Sequence, residues 1–509
     1  MRLHIVPNAV GTTRARVWIG HFSWEMPKGR HLLELSGEGR PRTRDSVPVL
    51  ATDWKEVFDP PGPNVVYQWI ELEGLAPATR YRLRLFDATG KSTAKSAEFR
   101  TLPDTLPGPD DKPFTVLLGS CYCREGEVRE GHEGAAGRAY AALYKDAALR
   151  PDAKFLCGDQ VYLDAPPGGI ETVNKFIAAG ATTEYLRREF IDVYRRTWTQ
   201  SVRPGATGFG ELLRLGANFF VSDDHEFWNN YPDLGITSAV TLSAKGRARW
   251  KSVARPLFFG VQMRPADGRT TLQNAWARIE RFEIGPLSFL IADTRADRVE
   301  TAPGGRPTRF MRPEDLATVC EWAKGLEGPG VLCLSQSLIP PGEESWTDDP
   351  RIDAALWDYE QYEELVAAVR HSDSHDLVLL SGDVHFGRIA RSSKVQANRP
   401  PRFLEVISSP MALIDNTAKG IATSSSGALR FPRVRIGEHK PRPVSVDRGI
   451  PASDVKGRNE DHFMTIGFGR SPEDPARVRM RVAAWLVRQL DDAGLPRRAW
   501  DEDYVFDLG

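Results

Sequence analysis

Within the first hundred residues apolar and polar positions alternate in short runs. ARVWIG (15–20), HLLELSG (31–37), VYQWIELEG (66–74) and YRLRLFDATG (81–90) each follow a period of two and end in turn formers, the pattern of strands with one buried face. They predict a small antiparallel β-sandwich. From residue 114 the pattern changes. FTVLLGSC (114–121), KFLCGD (154–159), NFFVSDD (218–224), LSFLIADTR (287–295), GVLCLSQ (330–336) and DLVLLSGD (376–383) are apolar runs of strand length that close on polar residues. Continuous apolar strands are those covered on both faces. Between several of them lie helix-like stretches, RAYAALYKDAALR (138–150), TEYLRREFIDVYRRTW (183–198) and YEQYEELVAAVR (359–370). This alternation predicts an α/β domain.

The segment LPDTLPGPDDKP (102–113), with its four prolines and its acidic residues, suits a domain boundary. The expected layout is an N-terminal β-sandwich domain over 1–102, a linker over 103–113 and a catalytic domain over 114–509. Near the end, FMTIGFG (463–469) and VRMRVAAWLV (478–487) read as strands returning to a sheet. The stretch from about 415 to 460, rich in Ser, Pro, Arg and Gly, reads as irregular loop. There is no internal repeat.

Charge and composition narrow the function classes. The chain has 509 residues, and its 67 Lys+Arg against 68 Asp+Glu leave a formal net charge of −1. A protein held to nucleic acid mainly by phosphate neutralisation carries a basic excess, so no nucleic-acid binding is expected beyond use as a substrate. No apolar run approaches the roughly 18–20 residues of a membrane span. Pro7, Arg14 and Arg16 interrupt the stretch where a secretory signal needs apolar residues. The expected compartment is therefore the cytoplasm, or the periplasm or exterior if an export signal has been removed. Five cysteines make no disulfide framework. Cys157, Cys320 and Cys333 sit in apolar runs as small buried hydrophobes, whereas Cys121 and Cys123 fall in a turn that would expose a side chain for chemistry.

The polar residues that end the apolar runs carry the chemistry. In order they are Gly119-Ser120-Cys121, Gly158-Asp159-Gln160-Val161-Tyr162, Asp223-Asp224-His225-Glu226 with Asn229-Asn230, Asp293 with Arg295, Ser335-Gln336, and Gly382-Asp383-Val384-His385. Thiol, carboxylate, phenol and imidazole converging at strand ends would cost burial energy if unpaired, and metal ions are the economical explanation. A two-metal hydrolase needs a bridging carboxylate. Asp159 is the natural candidate, with Tyr162 spaced to reach the same ion. Thiolate and phenolate favour iron, while an oxygen-rich second position favours calcium, magnesium or manganese.

The set GSC, GDQVY, DDHEFWNN, ADTR, SQ and SGDVH, in this order, resembles the PhoD-type alkaline phosphatases, a branch of the calcineurin-like metallophosphatase superfamily, over residues 5 to 490. Tyr67 to Pro103, with its Leu-x-Pro-x-Thr-x-Tyr turn at Leu75–Tyr81, is similar to a fibronectin type III module. The resemblance implies a two-sheet αββα sandwich preceded by a small all-β domain. It implies that Cys121, Asp159, Tyr162 and His385 hold an iron ion (Fe3+), and that Asp159 bridges to a second ion, calcium, also held by Asp224 and Asp383. Manganese, magnesium and zinc are the alternatives. His225 would be the general acid or transition-state stabiliser, and Arg295 would contact a phosphate oxygen. Asn229 or Asn230 would add a ligand or a substrate contact, and Trp228 either lines the substrate pocket or anchors its loop. The implied reaction is hydrolysis of a small phosphomonoester by in-line attack of a metal-bound hydroxide or oxide, with phosphodiesterase or phospholipase D-like activity as the alternative. Ser335 and Gln336 stand where many metallophosphatases have a histidine ligand, which would make the second site oxygen-rich. The family is usually exported, and this sequence shows no export signal.

Other catalytic templates are missing: the chain has no G-x-S-x-G, no G-x-x-x-x-G-K-[ST] and no H-E-x-x-H. A Cys-His hydrolase on Cys121 would leave the converging carboxylates unexplained, and Cys123 reads as a bystander. His132, His371, His375 and His462 read as surface or loop residues. A reading of a different class is a non-catalytic binding protein with a structural metal site, its sandwich docking a partner through exposed Trp18, Trp24 and Trp69.

Overall fold

In the computed structural model the unbroken apolar runs are strands whose two faces enter different cores. On Ala153–Cys157, Phe155 and Cys157 face one core and Leu156 another. On Leu287–Ala292, Phe289 and Ile291 enter the first core while Leu290 and Ala292 face a third. Successive side chains on a strand point to opposite faces, so each apolar run serves two layers at once. The shared core lies between two sheets, where Phe114 and Phe155 meet Phe289 at centroid distances of 6.0 and 6.3 Å. Helices Ala135–Lys145, Thr183–Thr199 and Ala244–Val261 cover the outer face of one sheet. Pro313–Lys324 and Gln361–His371 cover the other. The result is an α/β fold of mixed sheets layered with helices.

The structure describes residues 2–23, 25–38, 45–129, 131–164, 182–199, 208–233, 244–263, 278–301, 305–339, 355–371, 375–385, 387–392, 403–412, 434–436, 442–450 and 461–509. The first sheet runs Pro496–Arg498, Val478–Leu490, His462–Arg470, Phe114–Gly119, Ala153–Cys157, Ala217–Val221, His4–Asn8, Ala15–His21, Val66–Leu72, Lys55–Glu56, with Tyr504–Leu508 also on Val478–Leu490. The second runs Ile279–Ile284, Leu287–Ala292, Gly330–Cys333, Leu377–Ser381, Phe403–Ile407, Gly387–Ser392, Arg442–Ile450, Val434–Ile436. Phe114–Gly119, Ala153–Cys157 and Ala217–Val221 are parallel neighbours. So are Leu287–Ala292, Gly330–Cys333, Leu377–Ser381 and Phe403–Ile407. Ligands collect beyond the carboxyl ends of such strands.

The N-terminal strands divide between sheets. Asp45–Val49, His31–Gly37, Arg80–Phe86 and Ala97–Arg100 form an antiparallel sheet of their own. The others join the large sheet, where His4–Asn8 meets Ala217–Val221 at Asn8 and Asn218. The Leu75–Tyr81 turn is closed by the Ala76 N–H donating to Tyr81 Oη at 2.8 Å.

Three expectations change. Trp18 is no exposed platform: it is fully buried and its indole N–H donates to Gly260 O at 2.9 Å, tying its strand to a helix. Trp24 lies outside the described residues. Strands Val434–Ile436 and Arg442–Ile450 stand where irregular loop was expected, because β-branched residues alternate at 434, 436, 444 and 446. His462 is buried within a strand rather than on the surface. No helix among the described residues is long and apolar enough to cross a membrane.

Candidate metal centre

Tight turns at the strand ends build the site. Cys121, Asp159, Asn230, Asp383 and His385 all have left-handed backbone, with φ of 54°, 58°, 67°, 66° and 54°. Each such non-glycine residue costs about 1 kcal/mol or more, and their gathering at one sandwich edge means that the surrounding packing holds them there. Two glycines make the approach possible. A Cβ on Gly158, at φ 84°, would lie 2.4 Å from Asp223 Cβ, and one on Gly382 would lie 2.2 Å from Ser120 Oγ. The first presses together neighbouring loops of one sheet, the second the loops of opposite sheets.

Ligand atoms of Cys121, Asp159 and His385 lie within 4.8 Å of one another, and the same holds for Asp159, Asp224 and His225 and for Asp159, Asp223, Asp224 and Asp383. Asp159 belongs to all three groups. Its Oδ2 is 3.4 Å from Cys121 Sγ and accepts from Tyr162 Oη at 3.3 Å. Its Oδ1 accepts from the His225 backbone N–H at 3.1 Å. The sequence-derived residues Cys121, Asp159, Tyr162, Asp224, Asp383 and His385 are therefore brought together, and Asp223 joins them.

The donor set fits cations. Asp223 is fully buried, and neither of its carboxylate oxygens takes a hydrogen bond; the nearest positive group is Arg295 Nε at 3.5 Å. Arg295, itself 1% exposed, also reaches Asp224 Oδ2 at 3.4 Å. Even with His225 protonated, one guanidinium and one imidazolium cannot balance Asp159, Asp223, Asp224 and Asp383, and uncompensated buried charge costs several kcal/mol per ion. The protonation preferences show the same strain. Burial pushes the Asp223 and Asp159 carboxyls well above the usual carboxylate range, and neighbouring carboxylates push further. Burial, then Asp159 and Asp383, raise the Cys121 thiol, and burial with Asp159 raises the Tyr162 phenol. Cations at this position would reverse each of these shifts. Thiol, phenol, imidazole and carboxylate together are donor types that bind cations.

A ring of supporting residues fixes these groups. Glu226 accepts from the backbone N–H groups of Asp159, Gln160 and Asp223 at 2.8, 2.7 and 2.9 Å, so a single carboxylate pins two ligand loops. Asp293 accepts from Ser222 N at 2.6 Å and Oγ at 2.8 Å, and from the Arg295 N–H at 3.0 Å. Ser409 Oγ donates to Cys121 Sγ at 3.1 Å and accepts from the His385 N–H at 3.1 Å. His225 Nδ1 is 2.7 Å from Asp164 Oδ1, and the Asn229 N–H donates to Asp164 Oδ2 at 2.7 Å. Burial works to lower the His225 pKa, but Asp164, Asp224 and Asp159 hold it well above the ordinary imidazole range. Asp164, Ser409 and the absence of a hydrogen bond to either oxygen of Asp223 escaped sequence reasoning. Asp164 has one signal there, as an acid two residues beyond Tyr162 in the same turn.

Some expectations shift in detail. Cys121 and Cys123 are buried, not exposed at a turn. Gln336 does not present a spare carbonyl: its Oε1 accepts from Arg298 at 2.5 Å and its Nε2 donates to Asp383 Oδ2 at 2.8 Å. Ser335 Oγ shares a hydrogen bond with Thr294 Oγ1 at 2.7 Å. The Asn230 N–H donates to Asp224 Oδ2 at 2.5 Å, and Asn229 Nδ2 approaches the same oxygen at 3.5 Å. Trp228 is buried with its indole N–H on Asp233 O at 3.0 Å, and it borders a separate pocket.

The sequence matches no family model and no curated protein. Among solved structures, one described as the structure of PhoD aligns with a TM-score of 0.61 at 14% identity, covering 99% of this chain and 89% of that chain. The third fibronectin III domain of the human KIAA0343 protein aligns at 15% identity with a TM-score of 0.13, covering 21% of this chain and 84% of that chain, too low to bear on the fold. The chain shares with PhoD an α/β fold along nearly its whole length.

Proposed function

We propose that the protein is a metal-dependent phosphoric ester hydrolase of the PhoD type. The observation that carries this reading is the convergence of buried Cys121, Tyr162, Asp223 and Asp224 and half-buried Asp383 and His385 around the one carboxylate of Asp159. In this reading Cys121, Asp159, Tyr162 and His385 hold iron. Asp159, Asp224 and Asp383, with Asp223 added by its position, hold a second, harder ion such as calcium. Ions held there would supply Lewis-acid polarisation of a phosphoryl oxygen and a water of lowered pKa.

The chain's own residues do the rest. His225 turns Nδ1 to Asp164, which fixes the ring and leaves Nε2 to protonate the departing alkoxide. Asp164, which lies against the ring and holds no ion, favours its protonated form. Arg295, set between Asp223 and Asp224, holds both carboxylates in register. Asn229 and Asn230 brace Asp224.

The test is Asp159→Ala and Asp383→Ala, each assayed on an aryl phosphate with metal content measured by mass spectrometry. Loss of hydrolysis with an unchanged circular dichroism spectrum is the expected result; near wild-type turnover in either variant sinks the assignment. Iron together with calcium supports the mixed site, whereas two zinc or two manganese ions replace it. The ratio of aryl phosphate to bis-aryl phosphate turnover decides between monoester and diester chemistry.

A further inference from the structure

Beside the metal centre lies a pocket of about 530 Å³ that the hydrolytic reading does not use. Its walls are parts of the same machinery. Trp228 follows Asp224 in one ligand loop, and Arg298 follows Arg295 in another. Arg298 Nη2 donates to Gln336 Oε1, and Gln336 Nε2 donates to Asp383, so pocket wall and metal ligand stand two hydrogen bonds apart. The third wall is one stripe of helix Ala244–Val261, formed by Ala244, Arg247, Ala248, Lys251 and Arg255.

The lining charge is lopsided. Among the described lining residues, Arg247, Lys251, Arg255, Arg298 and Arg309 stand against two acids, Asp297 and Glu300. Both acids are engaged, Asp297 by Arg255 at 2.5 Å and by Arg278, and Glu300 by Arg247 at 2.6 Å. Lys251 lies over the Tyr231 ring at 5.4 Å. Among the described residues neither Lys251 nor Arg309 has a carboxylate at ion-pair distance. Two lining cations outside any ion pair, in a pocket of ligand size, form a site for an anion.

We infer that this pocket receives a second anionic group, a phosphate or a carboxylate, on the same molecule whose phosphoester is cleaved. The substrate class is then a phosphoester whose alcohol portion carries a second acidic group, with Lys251 and Arg309 as the residues that select it. This inference rests on the hydrolytic reading for its kinetic form, but the pocket's affinity for an anion does not.

The test uses the metal-loaded enzyme with α,ω-alkanediol bisphosphates of two to six carbons, the matching monophosphates and the matching ω-carboxyalkyl phosphates. At one chain length the bisphosphate or the carboxyalkyl phosphate should show a kcat/KM at least about tenfold above its monophosphate, and which of the two does so identifies the second group. In Lys251→Ala/Arg309→Ala this ratio falls toward one, and in Lys251→Arg/Arg309→Lys it persists. A ratio below twofold at every length, or a ratio unchanged in the double alanine variant, overturns the inference. If the wild type hydrolyses none of these esters, the hydrolytic reading fails, and equilibrium dialysis of hexanediol bisphosphate then decides for the pocket alone. Binding weakened at least tenfold in the double alanine variant supports it, and equal binding overturns it.

Discussion

Replacing Gly158 by alanine tests whether the ligand loops are held by close backbone contact. The added methyl acts in two ways. Gly158 has φ 84°, a conformation in which an L-residue costs about 1–2 kcal/mol. Its Cβ would also stand 2.4 Å from Asp223 Cβ and 2.7 Å from Asp223 N. Both are main-chain-fixed atoms that no rotamer change can move, so overpacking adds about 1–3 kcal/mol. The expected loss is therefore about 2–5 kcal/mol, read as a shift of the urea midpoint. To reach ordinary contact at 3.4 Å the two loops must part by about 1 Å. That movement separates Asp223 from Asp159, two residues that share one candidate ion. Misplacement on this scale can cost about 10²-fold in rate, and metal stoichiometry should fall with it.

Gly494→Ala supplies the comparison. Gly494 has φ 77°, but nothing lies within 4 Å of the point where its methyl would stand, so it carries the backbone cost without the clash and lies far along the chain from the ligand loops. It should lose about 1–2 kcal/mol and keep full metal content and turnover. The difference between the two variants isolates the contact with Asp223. Equal destabilisation of both, with metal and activity intact in Gly158→Ala, would refute the claim that this contact sets the site.

Further expectations concern the support of the site and the core. Asp164→Asn removes the partner of His225 Nδ1 and should lower kcat about 10²-fold, while the alkaline limb of kcat moves to lower pH because the imidazole loses the carboxylate that raises its pKa; an unmoved limb counts against His225 as the acid. Glu127, buried beneath the Tyr122 hydroxyl and the N–H groups of Gly134 and Ala136, has its pKa pushed up by burial from 4.5 to about 7. A pKa raised by folding stabilises most below the unfolded value, and that stability is lost as pH rises through the folded value. Metal-free protein should therefore lose about 3 kcal/mol on this account between pH 4.5 and 7, and Glu127→Gln should flatten that part of the urea-denaturation profile. Arg388→Met leaves Glu405 buried without its guanidinium partner and should cost about 3–5 kcal/mol; adding Glu405→Gln should recover part of that loss, and no recovery would mean the pair is not the source.

The cores and the site were legible in the sequence to different degrees, for physical reasons. Runs such as KFLC and LSFLIA announce strands because burial on both faces demands apolar residues at every position, and the structure places Phe155 and Leu156 in different cores. The polar residue that follows such a run is equally visible, which is why Asp159, Asp224 and Asp383 could be named. What the pattern does not carry is the contact between loops of different strands. Asp223 and Asp224 are adjacent and chemically identical, and only the fold shows that Asp224 takes the Asn230 N–H while both oxygens of Asp223 stay without a hydrogen bond. Asp164 and Ser409 serve His225 and Cys121 across 61 and 288 residues; nothing local marks Ser409, and Asp164 is marked only as an acid two residues beyond Tyr162. Arg295 reads as a cation available to phosphate until its burial between two carboxylates is seen. In the proposed reaction the positive charge a phosphate meets comes from bound ions, His225, Lys251 and Arg309, groups that a net charge of −1 does not reveal. A site made of long-range contacts is thus read from sequence as an inventory of donors, and its selectivity is read only from which of those donors the fold has already committed.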